Sequence, residues 1–262
     1  MPRHAIFPRL QLPALVRLAS LCGALKWAVA APVLVIALGQ NKPPYTTQSP
    51  PGGIEYELVS AIVSQMGYRA NIVMVPNARA HLMLGSGKVD AAISHDGKIV
   101  SEPYIAYQNF AISLAGKALP IKSIADLAPY RVTAFQNAHL FLGPDFAQMS
   151  AHNPQYQEVS PQQDANRLLY RDRTDVVISD ANLFFYLNRQ IAQEVDTQQR
   201  VDLNHIFPPT LYRLEFRSAP LRNRFNQALR QVLRSDLYDR LAQKYLAPQD
   251  AQGTPYFKPH QP

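Results

Sequence analysis

The chain has 262 residues, 47% of them apolar and 17% charged, with a formal net charge of +7. Apolar content near half excludes wholesale disorder and collagen-like repeats, and the low charged fraction excludes interaction through long charge runs. Against 22 prolines there are 11 glycines, which argues for stiff connections, and the length suits one large domain or two modest ones.

Arg3, Arg9, Arg17 and Lys26 all precede the first acidic residue, Glu55. A basic start, the mainly apolar run Leu18–Ala31 and the small-residue pattern Ala28-Val29-Ala30 read residues 1–30 as a cleavable secretory signal. The alternative is a buried or membrane-anchoring helix, but the run is short of the ~20 apolar residues a span needs. Removing those four cations from 26 leaves 22 against 19 acids, so the mature chain is only +3 and no nucleic-acid partner is expected. The single cysteine, Cys22, falls in the same segment, which leaves the mature chain without disulfides, thiol catalysis or zinc-thiolate sites.

Val33–Leu38 is an apolar run of strand length, followed by the breaker Asn41-Lys42-Pro43-Pro44-Tyr45. Ile54, Leu58, Ala61 and Ile62 have helical spacing after Pro50-Pro51-Gly52-Gly53, with Gly67 as the stop. Residues 71–75 read as a strand, 78–84 as a short helix and 89–94 as a third strand. In the second half, 131–135 and 175–179 read as strands and 181–188 as a helix. Ser160-Pro161-Gln162-Gln163 has the form of a capping box opening a helix through Leu168-Leu169. Strands apolar on both faces, alternating with helices, predict parallel sheets covered on both sides.

Gly87-Lys88-Val89-Asp90-Ala91-Ala92-Ile93-Ser94 is echoed by Asp172-Arg173-Thr174-Asp175-Val176-Val177-Ile178-Ser179. Two copies this far apart suggest two similar α/β lobes. Near the end, Leu221, Phe225, Ala228, Leu229 and Val232 form one helical stripe, and Leu237, Leu241 and Tyr245 another after Ser235. Arg222, Arg224, Arg230, Arg234 and Arg240 fall largely off these stripes, as a solvated face. Periodicity stops at Pro248, and residues 249–262 are expected to be a flexible tail.

Ligands of open parallel sheets bind beyond the carboxyl ends of the strands. Those ends carry Asn41–Tyr45, Ser94-His95-Asp96, Gln136–His139 and Ser179-Asp180. Asp180 also stands where a helix N-cap belongs, and Ser94 and Asp96 are equally turn formers. The chain has no G-x-S-x-G, G-x-G-x-x-G, P-loop or H-E-x-x-H, and its histidines lack metal-ligand spacing. No catalytic residue, metal or cofactor is therefore expected.

From about Ala31 to Leu246 the chain resembles the family 3 periplasmic solute-binding proteins, which capture polar amino acids for ABC importers. The matching pieces are Pro43-Pro44-Tyr45, Gly53-Ile54-Glu55-Tyr56-Glu57-Leu58, Pro76–Ala80 with Arg79, Ser101-Glu102-Pro103-Tyr104, Ser123–Leu127 with Arg131-Val132, and Asp175–Asp180. The resemblance implies the type II two-lobed α/β fold, with solute clamped between lobes by hinge closure. Lobe 1 is expected over 31–112 plus 213–248 and lobe 2 over 113–212, with crossings near Phe110–Leu114 and Leu211–Phe216.

It also implies that Asp180 meets a ligand amino group and Tyr45 stacks on the ligand. Glu55, Arg79, Ser94, Lys98, Gln136 and His139 complete the expected site. Two pieces depart from the family pattern. The arginine expected beyond Ser94 is replaced by His95-Asp96-Gly97-Lys98, and the Gly-Thr turn of the second lobe by Gln136-Asn137-Ala138-His139. Lysine gives a point-charge contact where arginine gives a bidentate one. The resemblance thus implies a monomeric periplasmic protein that carries a small polar, amine-bearing, amino acid-like solute to an inner-membrane ABC permease. The alternatives are a sensor acting in trans on a membrane receptor, and a cyclohexadienyl-dehydratase-like enzyme with Glu55, Asp96 or Asp180 as its acid–base group.

Overall fold

Alternating apolar strands and amphipathic helices build the molecule in chain order. The first half comprises Val33–Gly39 (β1), the short hairpin of Thr47–Gln48 (β2) with Pro51–Gly52 (β3), Ile54–Gln65 (α1), Arg69–Val75 (β4), Asn77–Gly85 (α2), Ala91–Ser94 (β5) and Ile105–Tyr107 (β6). The second comprises Asn109–Leu114 (β7), Val132–Phe135 (β8), Ala138–Phe141 (α3), Pro144–His152 (α4), Tyr156–Val159 (β9), Gln163–Tyr170 (α5), Val176–Asp180 (β10), Ala181–Ile191 (α6) and Val201–Asn204 (β11). Thr210–Phe216 (β12), Ala219–Leu233 (α7) and Leu237–Tyr245 (α8) follow. This computed structural model describes residues 1, 30–40, 42–94, 97–246 and 257–259. The chain divides into a unit Met1–Ala30, whose signal-peptide reading lies outside the described residues, and a unit Ala31–Pro262 that holds every element named here.

Two five-stranded sheets organise the second unit, one ordered β4-β1-β5-β12-β6 and the other β11-β7-β10-β8-β9. β1 pairs parallel with β4 and β5, and β8 with β9 and β10, but β12 runs antiparallel to β5 and β6 and β7 antiparallel to β10 and β11. Each sheet is therefore mixed, half parallel and half antiparallel, where the sequence predicts parallel sheets. Around the first sheet, Ile36, Leu38, Leu58, Ile62, Phe225 and Leu229 are fully buried in one cluster. The second sheet buries Val132, Phe146 and Ile178 on one face, and Ile112, Leu169, Val177 and Phe184 on the other.

The repeated Asp motif has a shared mechanical role. Asp90 N donates to Val35 O (2.8 Å) while its Oδ2 accepts from Val35 N (2.9 Å). Asp175 does the same with Arg131, N to O at 2.9 Å and Oδ2 from N at 3.0 Å. In each sheet an aspartate before a central strand thereby fixes the register of its neighbour, satisfying backbone groups at the strand entry.

Several expectations need correction. β7 pairs with β10 and β11, so it lies wholly in the second sheet, and β12 pairs with β5 and β6, wholly in the first. The chain therefore changes sheets at Gln108 and within 205–209, not at 112/113 and 212/213. Gln108 Nε2 ties the two crossings together by donating to Phe207 O at 2.9 Å. Helix α5 starts at Gln163 with no side-chain cap, so the Ser160 capping box does not form. Residues 257–259 also differ from a loose tail. Phe257 is fully buried against Tyr238 (centroids 5.9 Å apart), and its carbonyl accepts from Ala106 N. The rest of the expected tail, 249–256 and 260–262, lies outside the described residues.

Gly53 is the local key to the site loop. At φ +110°, it lets Ile54 N and Glu55 N donate to the carbonyls of Pro44 and Tyr45, both at 2.9 Å. The loop thus supplies acceptors that the first turn of α1 would otherwise lack. A β-carbon on Gly53 would stand 2.2 Å from Tyr45 O. Gly53→Ala is expected to destabilise the protein by at least ~2 kcal/mol, from strain and the displaced loop together. Denaturant unfolding checks this, and an unchanged midpoint would contradict it.

Candidate functional site

A cavity of 410 Å³ lies between the two sheets. Lys42, Tyr45, Asn77, Tyr107, Thr210 and Tyr212 line it from the first-sheet side. From the second come Asn109, Phe135, Gln136, Phe141, Leu142, Gln162, Asp180 and Leu183. It opens at the carboxyl ends of β1, β8 and β10, where parallel sheets gather ligands.

Asp180 ends β10 and caps α6, its side chain accepting from Leu183 N at 3.0 Å. It accepts at the same time from Gln108 N (3.0 Å) and, on both oxygens at 2.9 Å, from the hydroxyl of Tyr45. The cap and cleft readings of Asp180 are both present in one side chain. Tyr45 belongs to the first-sheet loop, so this hydrogen bond joins the two sides of the cavity. Its oxygen in turn accepts from Asn182 Nδ2 at 2.9 Å, while Asn182 Oδ1 is buried without a hydrogen-bond partner among the described residues.

Burial raises Asp180 to about 6, against the hydrogen bonds from Leu183, Tyr45 and Gln108 that favour its anion. Burial and the nearby Asp180 carboxylate push the Tyr45 hydroxyl well above its ordinary value, so it remains a donor.

Glu55 is fully buried and receives the hydroxyls of Tyr104 (2.5 Å) and Tyr107 (2.7 Å). Burial raises its carboxyl, and the two tyrosine bonds and Lys42 oppose that shift. The two motif fragments around Glu55 and Tyr104 are thus halves of one clamp. Tyr107 carries the clamp to the cavity wall, with its ring 4.3 Å from that of Tyr45 and 4.8 Å from that of Tyr212.

Of the expected site residues, the structure gathers Tyr45, Gln136 and Asp180 on the cavity wall. Glu55 lies behind that wall, committed to its tyrosines. Ser94 is buried and accepts from Gly97 N at 3.1 Å. Arg79 is exposed on α2, where Ala80 is the buried position, and does not line the cavity. Lys98 is exposed beside a different groove, its backbone N–H on Glu215 (2.9 Å). His139 turns to Glu158, with Nδ1 at 2.7 Å from Oε1. Asn41, His95 and Asp96 lie outside the described residues.

Lys42, Asn77, Tyr107 and Tyr212 were not singled out from the sequence. Lys42 stood next to Tyr45 in the same loop, but the rings that hold it come from distant strands. Among the described residues no group of three or more His, Cys, Asp or Glu could hold a metal ion, and no helix is long and apolar enough to cross a membrane.

Residues 34–248 match the family described as bacterial extracellular solute-binding proteins, family 3. The chain belongs to that family. No curated protein matches it. Among solved structures, this solute-binding protein is similar to an ancestral arginine-binding protein bound to arginine, at 18% identity and a TM-score of 0.59 over 82% of this chain and 98% of that one. A histidine kinase sensor domain similar to periplasmic binding proteins gives 18% and 0.60, over 82% and 96%. The ligand-binding core of GluR0 from Nostoc punctiforme, in complex with L-glutamate, gives 20% and 0.57, over 82% and 100%. At these identities the likeness is one of fold, and it confirms the two-lobed α/β architecture.

The raised titration of Asp180 has a consequence for stability. A carboxyl that titrates near 6 when folded and near ~3.9 when unfolded holds its proton more tightly in the folded state. Its contribution is therefore largest below pH ~4 and is lost as pH rises through about 6, on the order of 2–3 kcal/mol. Asp180→Asn, which caps about equally well, is expected to fall less steeply in stability over that window. Denaturant unfolding of both proteins across the window checks this; parallel curves would contradict it.

Proposed function

We propose that this solute-binding protein works in the periplasm as a monomer, capturing a small polar, amine-bearing, amino acid-like solute and delivering it to an inner-membrane ABC importer. Residues 1–30 act as its export signal, and the two sheets with their helices act as hinged lobes. The observation that carries the reading is the Asp180 carboxylate at the cavity, bonded across it to Tyr45. The Tyr45 hydroxyl and the backbone N–H groups of Leu183, Gln108 and Asn182 fill the carboxylate's acceptor directions, so a ligand ammonium would take the place of the Tyr45 hydroxyl. A charge-assisted hydrogen bond of this kind is strong in a largely water-excluded cleft. Binding of an amine would also hold Asp180 ionised.

A second reading, an enzyme on the same scaffold, is favoured by the titration of Asp180 near 6, where a general acid or base is effective. Recovery of a bound solute unchanged after incubation separates carriage from turnover.

The test is a thermal-shift screen of small amines and amino acids, followed by calorimetric titration. Removing one partner of a buried charge pair costs on the order of 2–5 kcal/mol, so Asp180→Asn should weaken binding by at least ~10-fold. Solution scattering should show a smaller radius of gyration when the solute saturates. Unchanged affinity in Asp180→Asn would overturn the amine-site assignment, and an unchanged radius the clamp.

A further inference from the structure

Lys42 is the one cationic side chain on the wall of the cavity among the described residues. Its Nζ lies over two aromatic faces, 5.4 Å from the Tyr107 centroid and 5.5 Å from that of Tyr212. No hydrogen-bond acceptor or ion-pair partner for Nζ occurs among the described residues. The rings hold the ammonium in place by cation–π attraction, which leaves its N–H donors directed elsewhere. Gly39 lies against the same group: a β-carbon there would crowd Asn77 Oδ1 at 2.9 Å and stand in ordinary contact with Lys42 Nζ at 3.7 Å. Burial disfavours the charge on Lys42, and the carboxylates of Glu55 and Asp180 support it.

On the second-sheet side the wall offers only neutral amide side chains, Asn109, Gln136 and Gln162, and the backbone donors of the turn after β8 are committed. The backbone N–H groups of Asn137 and His139, in the turn after β8, both donate to Glu158 (2.6 and 3.1 Å). Burial would raise Glu158, but its bonds from His139, Tyr156 and that turn outweigh it and hold the carboxyl near 2, so Glu158 stays an anion and keeps them. Arg79 and Lys98 are exposed and do not line the cavity. A solute that carried only a positive charge would leave Lys42 enclosed beside it without an acceptor, an arrangement that is costly once water is excluded.

We infer that Lys42 receives an anionic oxygen of the solute, so that the ligand is zwitterionic, with its cation towards Asp180 and its anion towards Lys42. The inference rests on the solute-binding reading above and deepens it. It moves recognition of the anionic group to the loop after β1, which also carries Tyr45. A lysine gives a single point-charge contact there, which accepts a carboxylate or a phosphate without fixing its plane.

Calorimetric titration with three matched pairs tests it: L-arginine with agmatine, L-glutamine with 4-aminobutanamide, and L-histidine with histamine. Each pair keeps the amine and differs by the α-carboxylate. The wild-type protein is expected to bind at least one parent, and to bind its decarboxylated partner at least ~10-fold more weakly. Lys42→Gln and Lys42→Met should remove that preference, and Lys42→Arg should retain it. Asp180→Asn should weaken parent and partner alike, which separates failure at the acidic end from failure at Lys42. An amine bound as tightly as its parent, or a preference that survives both neutral variants, would overturn the role of Lys42 and leave the solute site standing. Binding of no amine or amino acid in the thermal-shift screen at about 10 mM would overturn both readings, since affinity would then be weaker than any useful capture.

Discussion

The hydrogen bond between Tyr45 and Asp180 joins two parts of the molecule that share no strand. Tyr45 hangs from the loop after the first strand of one sheet, and Asp180 closes the central strand of the other. Because Asp180 also caps α6 and accepts from Gln108 N at the crossing between sheets, one carboxylate senses the helix, the hinge and the opposite wall together. Displacing it would leave Leu183 N, Gln108 N and Tyr45 without an acceptor, and unsatisfied buried donors are costly. Its position is therefore over-determined, as a binding group's should be.

A second buried carboxylate holds the opposite wall. Glu55 fixes Tyr104 and Tyr107, Tyr107 packs at a tilt against Tyr45 and Tyr212, and the rings of Tyr107 and Tyr212 seat Lys42. Tyrosine suits this work, since each ring presents an apolar body to the core and a hydroxyl to a carboxylate. The wall is thus rigid and polar at defined points. Gly53 completes it by allowing the site loop to rest on the first turn of α1.

Most of the strands and helices are legible in the sequence, because an apolar strand or helical stripe is a local signal. The paired aspartates Asp90 and Asp175 are legible too, and the structure gives their echo a common cause. The sheet changes are not. β7 and β12 are apolar runs that suit either sheet, and what assigns them is pairing with strands far away in the chain. The site divides on the same principle. Tyr45, Gln136 and Asp180 follow from the rule that ligands gather at strand ends. Glu55 lies beside that region but is claimed by tyrosines about fifty residues on, a distance at which spacing carries no information. Arg79 fails on helix phase, since Ala80 takes the inward position, and Lys42, although it falls within the strand-end segment Asn41–Tyr45, is marked out from its neighbours only once Tyr107 and Tyr212 are folded around it.

The most direct measurement of the central constraint is the titration of the Asp180 carboxyl itself, followed by carbon-13 NMR with labelled aspartate in the ligand-free protein. The account predicts a midpoint near 6, and a higher one in Tyr45→Phe, where burial persists and a donor to the anion is gone. A midpoint at the ordinary ~3.9, or one that Tyr45→Phe leaves in place, would contradict it.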